Sequence, residues 1–288
     1  MMERNIQGRI FLVGCPRSGT TLLQSLLAAH PQITSFPESH FFSSLEPSKA
    51  WIRQLGLGLA SGKRARSRFL EFLKILNQEQ MQSYLPRFAP FVHQYTAAFV
   101  KVLDTLTLEQ GKSWWLEKTP GHLQCIDLIE QQVPGVQFLH IVRNGTDVVA
   151  SMYDVVNHRH SEGWLEPGNL DKCIDRWIAS IEITRQYAAR PNHTVVRYEE
   201  LVENPRQILS QLCEAIDIEF DATMLKEYRA AAKQVVRQDE TWKASAEQPI
   251  HNANGKKFYK VFDKAQREHI LAQLSPVDLD RLCPVRSV

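Results

Sequence analysis

"IFLVGCPRSGTTLLQSLL" runs from Ile10 to Leu27. Its first four residues, Ile10 to Val13, are apolar without a break and end at Gly14. A parallel strand buried on both faces reads that way. Leu22, Leu23, Leu26 and Leu27 then recur at helical spacing until Pro31 closes the pattern. The unit is a strand, a glycine-bearing loop and a helix. Its middle, GCPRSGTT (Gly14–Thr21), keeps the two glycines of the phosphate loop G-x-x-x-x-G-K-[ST]. The lysine is missing: Thr20 stands in its place, and Arg17 lies inside the loop.

A loop entering a helix N-terminus aims several backbone N–H groups at one point, and the helix dipole adds roughly half a positive charge there. Gly14 and Gly19 supply unusual backbone angles and close approach. The residues Pro16, Arg17, Ser18, Gly19, Thr20 and Thr21 are read as the phosphate cradle. In the usual loop, lysine reaches the outer phosphates and Ser/Thr holds Mg²⁺. Arginine instead grips a phosphate bidentately and stays charged. The expected ligand is therefore a single 5′-phosphate rather than a metal-bound triphosphate, and no metal is expected.

The strand-loop-helix unit returns at VQFLHIV (Val136–Val142), followed by Val148, Val149, Met152 and Val156 on a helix face. HTVVRY (His193–Tyr198) is a third apolar strand and SWWLEK (Ser113–Lys118) a fourth. Helical segments over 121–132, 170–189 and 205–216 separate them. Such alternation predicts an α/β fold of three layers, a parallel sheet flanked by helices on both faces. Residues 44–111 carry helical patterns and no good strand, so they read as a helical insertion within one domain spanning 1–288. Two roles stay open for it, a lid or substrate pocket and helices that merely cover one edge of the sheet. The stretch from Ser245 to Lys260 is polar and turn-rich, and reads as a loop.

The 34 basic and 32 acidic side chains give +2, so bulk charge offers no reason to expect a nucleic-acid or membrane partner. No stretch approaches 18 apolar residues, and the apolar run near the N-terminus is too short for a leader. The five cysteines are scattered, with no C-x-x-C pair and no framework for zinc or disulfides. The expectation is a cytoplasmic protein with reduced thiols.

Four motifs together resemble the sulfotransferases that use 3′-phosphoadenosine 5′-phosphosulfate (PAPS). GCPRSGTT followed by LLQSLLAAHP is similar to their 5′-phosphosulfate loop, in the version of the bacterial and tyrosylprotein branch. VRNGTDVVAS (Val142–Ser151) resembles the 3′-phosphate motif, an arginine at a strand end and a serine eight residues on. LEKTP (Leu116–Pro120) resembles the lysine motif near the active site, and VRYEELVENPRQIL (Val196–Leu209) the R-Y-E-[DE]-L-x-x-x-P segment. The match covers most of the chain, with the insertion and the C-terminal third matching loosely. It implies a P-loop NTPase-like fold and a sulfuryl transfer from PAPS, releasing 3′,5′-bisphosphoadenosine (PAP), to a hydroxyl acceptor.

The resemblance also implies roles. Arg143 and Ser151 would hold the 3′-phosphate, and Tyr198 the adenine or phosphate region. Lys118 would stabilise the bridging oxygen, with Arg17 a second cation for the leaving phosphate. Glu38 lies eight residues after the histidine of the H-P pair, His30, where the tyrosylprotein branch has its base. In the cytosolic branch the base is a histidine two residues after the motif lysine; here that position is Pro120. His40 and His122 are the rival bases, and His40 falls where the tyrosylprotein branch has an arginine. Lys256 or Lys257 could serve the 3′-phosphate, as a late basic segment does in the cytosolic branch. Two other readings stay open, a P-loop small-molecule kinase and a non-catalytic PAP-binding sensor. The acceptor's class and the existence of a homodimer are not legible.

Three weaker signals have plain readings. GKRARSR (Gly62–Arg68) reads as a solvated helix face rather than a glycan-binding patch. NHRH (Asn157–His160) reads as a loop, and Trp177 as a packed helix residue.

Overall fold

A computed structural model describes residues 5–45, 58–158, 169–235, 249–250, 252 and 254–282. The chain begins with β1 (Gly8–Gly14), α1 (Thr20–Ala28) and β2 (Ile33–Phe36). The insertion follows, with α2 (Gly62–Ile75) and α3 (Val92–Glu109). Then come β3 (Trp114–Lys118), a 3₁₀ turn over Pro120–Cys125, α4 (Ile126–Gln132) and β4 (Val136–Val142). They are followed by α5 (Gly145–His158), α6 (Leu170–Tyr187), β5 (His193–Arg197), α7 (Tyr198–Glu203) and α8 (Pro205–Ala215). The C-terminal third holds α9 (Thr223–Lys226), α10 (Tyr228–Val235), α11 (Lys256–Val261) and α12 (Lys264–Leu274).

The five strands form one parallel sheet in the order β2-β3-β1-β4-β5. Alternate residues of β1 serve the two faces, as the period of a strand requires. Phe11 and Val13 join a core with the insertion, while Ile10 and Leu12 join one with α1 and α7 to α10. A third cluster packs α5 and α6 against the C-terminal helices.

The insertion packs over one face of the sheet, reaching the central strand β1 rather than only an edge. Phe41 stacks on Phe99 at 4.3 Å, and Phe42 packs edge-on between Phe11 and Phe99. Arg9 on β1 clamps Asp104 of α3 at 3.1 and 2.7 Å, and the Trp115 indole N–H donates to the same carboxylate at 2.7 Å. Residues 46–57 of the insertion and 159–160 of NHRH lie outside the described residues.

Several boundaries differ from expectation: Asn157 and His158, read as loop, end α5. Tyr198 opens α7 rather than ending β5, because the strand stops at Arg197 and the chain turns down over the sheet end. Lys256–Val261, read as loop, is a short helix. Six residues are too few for a helical period to show, and Phe258 alone is buried in it.

Candidate active site

The register of the sheet places the parts. Leu12 of β1 pairs with Lys118 of β3, and Gly14 pairs with Ile141 of β4. The loop leaving β1 is thus flanked by the strand end bearing Lys118 and the strand end leading to Arg143. Open parallel sheets gather ligands at such C-terminal strand ends.

The loop has the strained backbone of a close-approach site. Gly14 has φ +151° and Gly19 φ +98°. A Cβ on Gly14 would lie 2.5 Å from the Ile141 carbonyl oxygen, and one on Gly19 2.4 Å from the Tyr198 ring. Arg17 also has positive φ, +75°, which a side chain rarely adopts outside a functional turn. Thr20 starts α1 and is buried, as is Pro16. Ser18 is 1% exposed, and its hydroxyl has no protein hydrogen-bond partner. A buried orphan donor is costly unless something else binds it, and it sits where a phosphate oxygen would. The cradle fits a 5′-phosphate on that observation. Cys15 is buried, which pushes its thiol up to about 12 and leaves it no nucleophilic role near neutral pH.

On the β4 side, Arg143, Ser151 and Tyr198 meet. The Arg143 guanidinium lies over the Tyr198 ring at 4.2 Å, and that ring packs on Gly19. Burial pushes the Tyr198 phenol above its ordinary value, with the Arg143 charge opposing, so it stays a donor. The Arg17 Nε donates to Ser151 Oγ at 3.2 Å, which links the 5′ loop to the 3′ motif directly. Trp177, buried as expected, also donates its indole N–H to the Arg143 carbonyl at 3.0 Å.

Asn254 and Glu199 belong here too, and sequence reading missed both. Asn254 Oδ1 accepts from Arg143 Nε and Nη2 at 3.1 and 2.7 Å, and its amide donates to Glu199 at 3.0 Å. The backbone N–H of Asn144 donates to the same Glu199 oxygen. Asn254, rather than a lysine, touches Arg143: Lys257 pairs with Asp154 at 2.7 Å, and Lys256 is exposed at the start of α11. The N-G pair at 254–255 signals a turn and nothing of this contact.

On the β3 side, Lys118 is 2% exposed and its ammonium hydrogen-bonds Glu38, whose other oxygen lies 3.3 Å from His40 Nε2. These two groups, expected from distant stretches of sequence, are in direct contact. His122 is different. It is fully buried, its Nε2 accepts the Phe42 N–H at 3.2 Å and its Nδ1 donates to Glu117 at 2.9 Å. Both ring nitrogens are engaged in holding the fold, so the ring is not placed to accept a substrate proton. A small cleft lined by Pro16, Pro120, Gly121, Gln124, Arg176 and Ser180 lies between these loops and α6.

A protein-family model described as "Sulfotransferase family" matches residues 9–222. The chain belongs to the sulfotransferase family. Among relatives of this sulfotransferase-family chain, the protein-tyrosine sulfotransferase of Drosophila melanogaster is 22% identical over 223 residues, 75% of this chain and 39% of the fly protein. The nodulation protein NoeE of Sinorhizobium fredii is 24% identical over 226 residues, 70% of this chain and 48% of that protein. The chain thus spans roughly half or less of the length of these two relatives. Among solved structures, the sulfotransferase domain from the curacin biosynthetic pathway shares the fold at a TM-score of 0.61 and 22% identity, covering 94% of this chain and 98% of that domain. A mouse sulfotransferase solved with PAP shares it at 0.54 and 12% identity, covering 96% and 88%.

Gly19→Ala follows from this packing. The new Cβ meets a positive φ and the Tyr198 ring together, so Tyr198 and the Arg143 stacked on it must shift. We expect a stability loss of about 1–3 kcal/mol and a PAP affinity at least ~10-fold weaker. Melting temperatures with and without PAP measure both; a full PAP-induced shift in the variant contradicts the arrangement.

Proposed function

We propose that the chain transfers a sulfuryl group from PAPS to a hydroxyl acceptor, with Glu38 as general base and Lys118 and Arg17 stabilising the leaving phosphate. The observation that carries this reading is the Lys118–Glu38 contact at the strand end beside the phosphate loop. An in-line transfer needs a cation at the leaving oxygen and a base at the attacking hydroxyl. Ser18, Gly19, Thr20 and Thr21 would bind the 5′-phosphosulfate. Arg143, Ser151 and Tyr198 would bind the 3′-phosphate and adenine side.

The donor supplies the activated sulfuryl group. Glu38 takes the acceptor's hydroxyl proton as the new oxygen–sulfur bond forms. Lys118 stabilises the electron pair left on the bridging phosphate oxygen as the old sulfur–oxygen bond breaks. For this, Lys118 turns its ammonium from Glu38 toward the leaving oxygen, which frees the carboxylate to act as base. Arg17 holds the phosphate from the opposite side of the loop.

A thermal-shift panel of PAP, ATP with Mg²⁺, and GTP with Mg²⁺ tests the donor. Stabilisation by PAP alone is expected. Stabilisation by a nucleoside triphosphate and none by PAP favours the kinase reading. Transfer of label from PAPS to any member of a hydroxyl-acceptor set separates an enzyme from a PAP sensor.

A further inference from the structure

We propose that Glu117 is a positioning residue for this transfer: its carboxylate fastens the turn after Glu38 and thereby sets Glu38 against Lys118. The inference rests on the reading of Glu38 as the base. Glu117 precedes Lys118 on β3, so the two side chains leave the strand on opposite faces. It is fully buried, where an ionised carboxylate is tolerated only with its lone pairs filled. They are filled. Oε1 accepts from the Ser39 N–H at 3.0 Å, the Ser39 hydroxyl at 2.8 Å and the Thr119 hydroxyl at 2.6 Å, and Oε2 accepts from His122 Nδ1 at 2.9 Å. Burial works to raise the Glu117 carboxyl, but the His122 ring and these donors outweigh it and hold it below the usual range.

The donors are not scattered over the core. They belong to the turn that follows Glu38 and to the residues that brace it. Thr119 Oγ1 accepts the Ser39 and His40 N–H groups at 3.1 and 3.3 Å. The Phe41 N–H donates to Ser39 Oγ at 3.2 Å, and the Phe42 N–H to His122 Nε2. Each backbone amide from Ser39 to Phe42 is therefore tied to this one network. The turn is tight, with His40 at φ +49°, and it delivers Phe41 and Phe42 into the aromatic core. Buried charged networks are often no more stabilising than well-packed apolar replacements of the whole network, although losing Glu117 alone would leave its donors unpaired. What the charge adds is a fixed direction for the segment that carries Glu38.

Two variants test this. Glu117→Gln removes the charge, and Thr119→Val removes one relay hydroxyl at constant shape. Each is expected to lower kcat by about 10–10²-fold, the cost of a misplaced catalytic group, with PAP affinity and the KM for PAPS unchanged. The acid limb of the kcat/KM–pH profile, which reports the free enzyme, should move to higher pH, because there a Glu38 displaced from the Lys118 ammonium is protonated more readily. Thr119→Ser should restore turnover. In a Glu38→Gln background, adding Glu117→Gln should lower the residual rate no further. Additive losses in that double variant, or PAP affinity falling in step with kcat, overturn the positioning role while leaving the base reading intact. Wild-type turnover of Glu38→Gln alone overturns both. If Glu117→Gln does not fold, Thr119→Val and Thr119→Ser decide the question.

Discussion

Replacing Glu38 by alanine lowers turnover by about 10²–10⁴-fold and leaves PAP affinity nearly unchanged. The size is that of a lost general base. The selectivity follows from placement: Glu38 contacts Lys118 and His40 on the β3 side of the loop, whereas the residues proposed for the adenosine side lie after β4, on α5 and on α7. The pH dependence has a fixed sign. A carboxylate base works only when ionised, so turnover falls as pH drops through its titration, and that limb disappears in the variant. Steady-state rates across pH, with calorimetric PAP binding alongside, measure both. Turnover like that of the unaltered protein removes Glu38 as base and leaves His40 as the exposed alternative.

Arg143→Ala weakens PAP binding by about 10–10³-fold, since charge-assisted hydrogen bonds are worth ~1.5–3 kcal/mol each and a guanidinium can make two. Adenosine 5′-monophosphate, which lacks the 3′-phosphate, should lose nothing comparable. The variant therefore narrows the gap between the two nucleotides, and that ratio is a sharper readout than either affinity. Asn254 is the second control. It engages Arg143 through Oδ1, so some loss in Arg143→Ala reflects a displaced 254–255 segment. That part would affect both nucleotides alike. Equal affinity for PAP in the variant and the unaltered protein breaks the 3′-phosphate assignment.

The sheet was legible because a parallel strand covered on both faces must be apolar throughout. Ile10–Val13 and Val136–Val142 carry that signature in full. The loop was legible because Gly14 and Gly19 answer a backbone demand that local sequence must meet. Arg143 and Ser151 were legible only through the spacing of a family motif. The rest depends on contacts between distant stretches. Glu117 looks like any strand residue in WWLEK until the turn at Ser39 folds back on it. Nothing local marks Asn254 as the partner of Arg143, and the short α11 has no period to read. The surroundings of His122 also needed tertiary information, since only the folded chain reveals that both its ring nitrogens are already hydrogen-bonded.

The order β2-β3-β1-β4-β5 puts β1 on a midline, with the groups proposed for the nucleotide to one side and those proposed for the transfer to the other. Everything proposed to hold the nucleotide hangs from β4, β5 and the loop of β1. The proposed base and leaving-group lysine, with the insertion, hang from β2 and β3. An exchange of the insertion for that of a relative would have to preserve the core it shares with β1 and β4. The Arg9–Asp104 clamp is a polar tie at the rim of that shared core, and a graft would need both to stay in register.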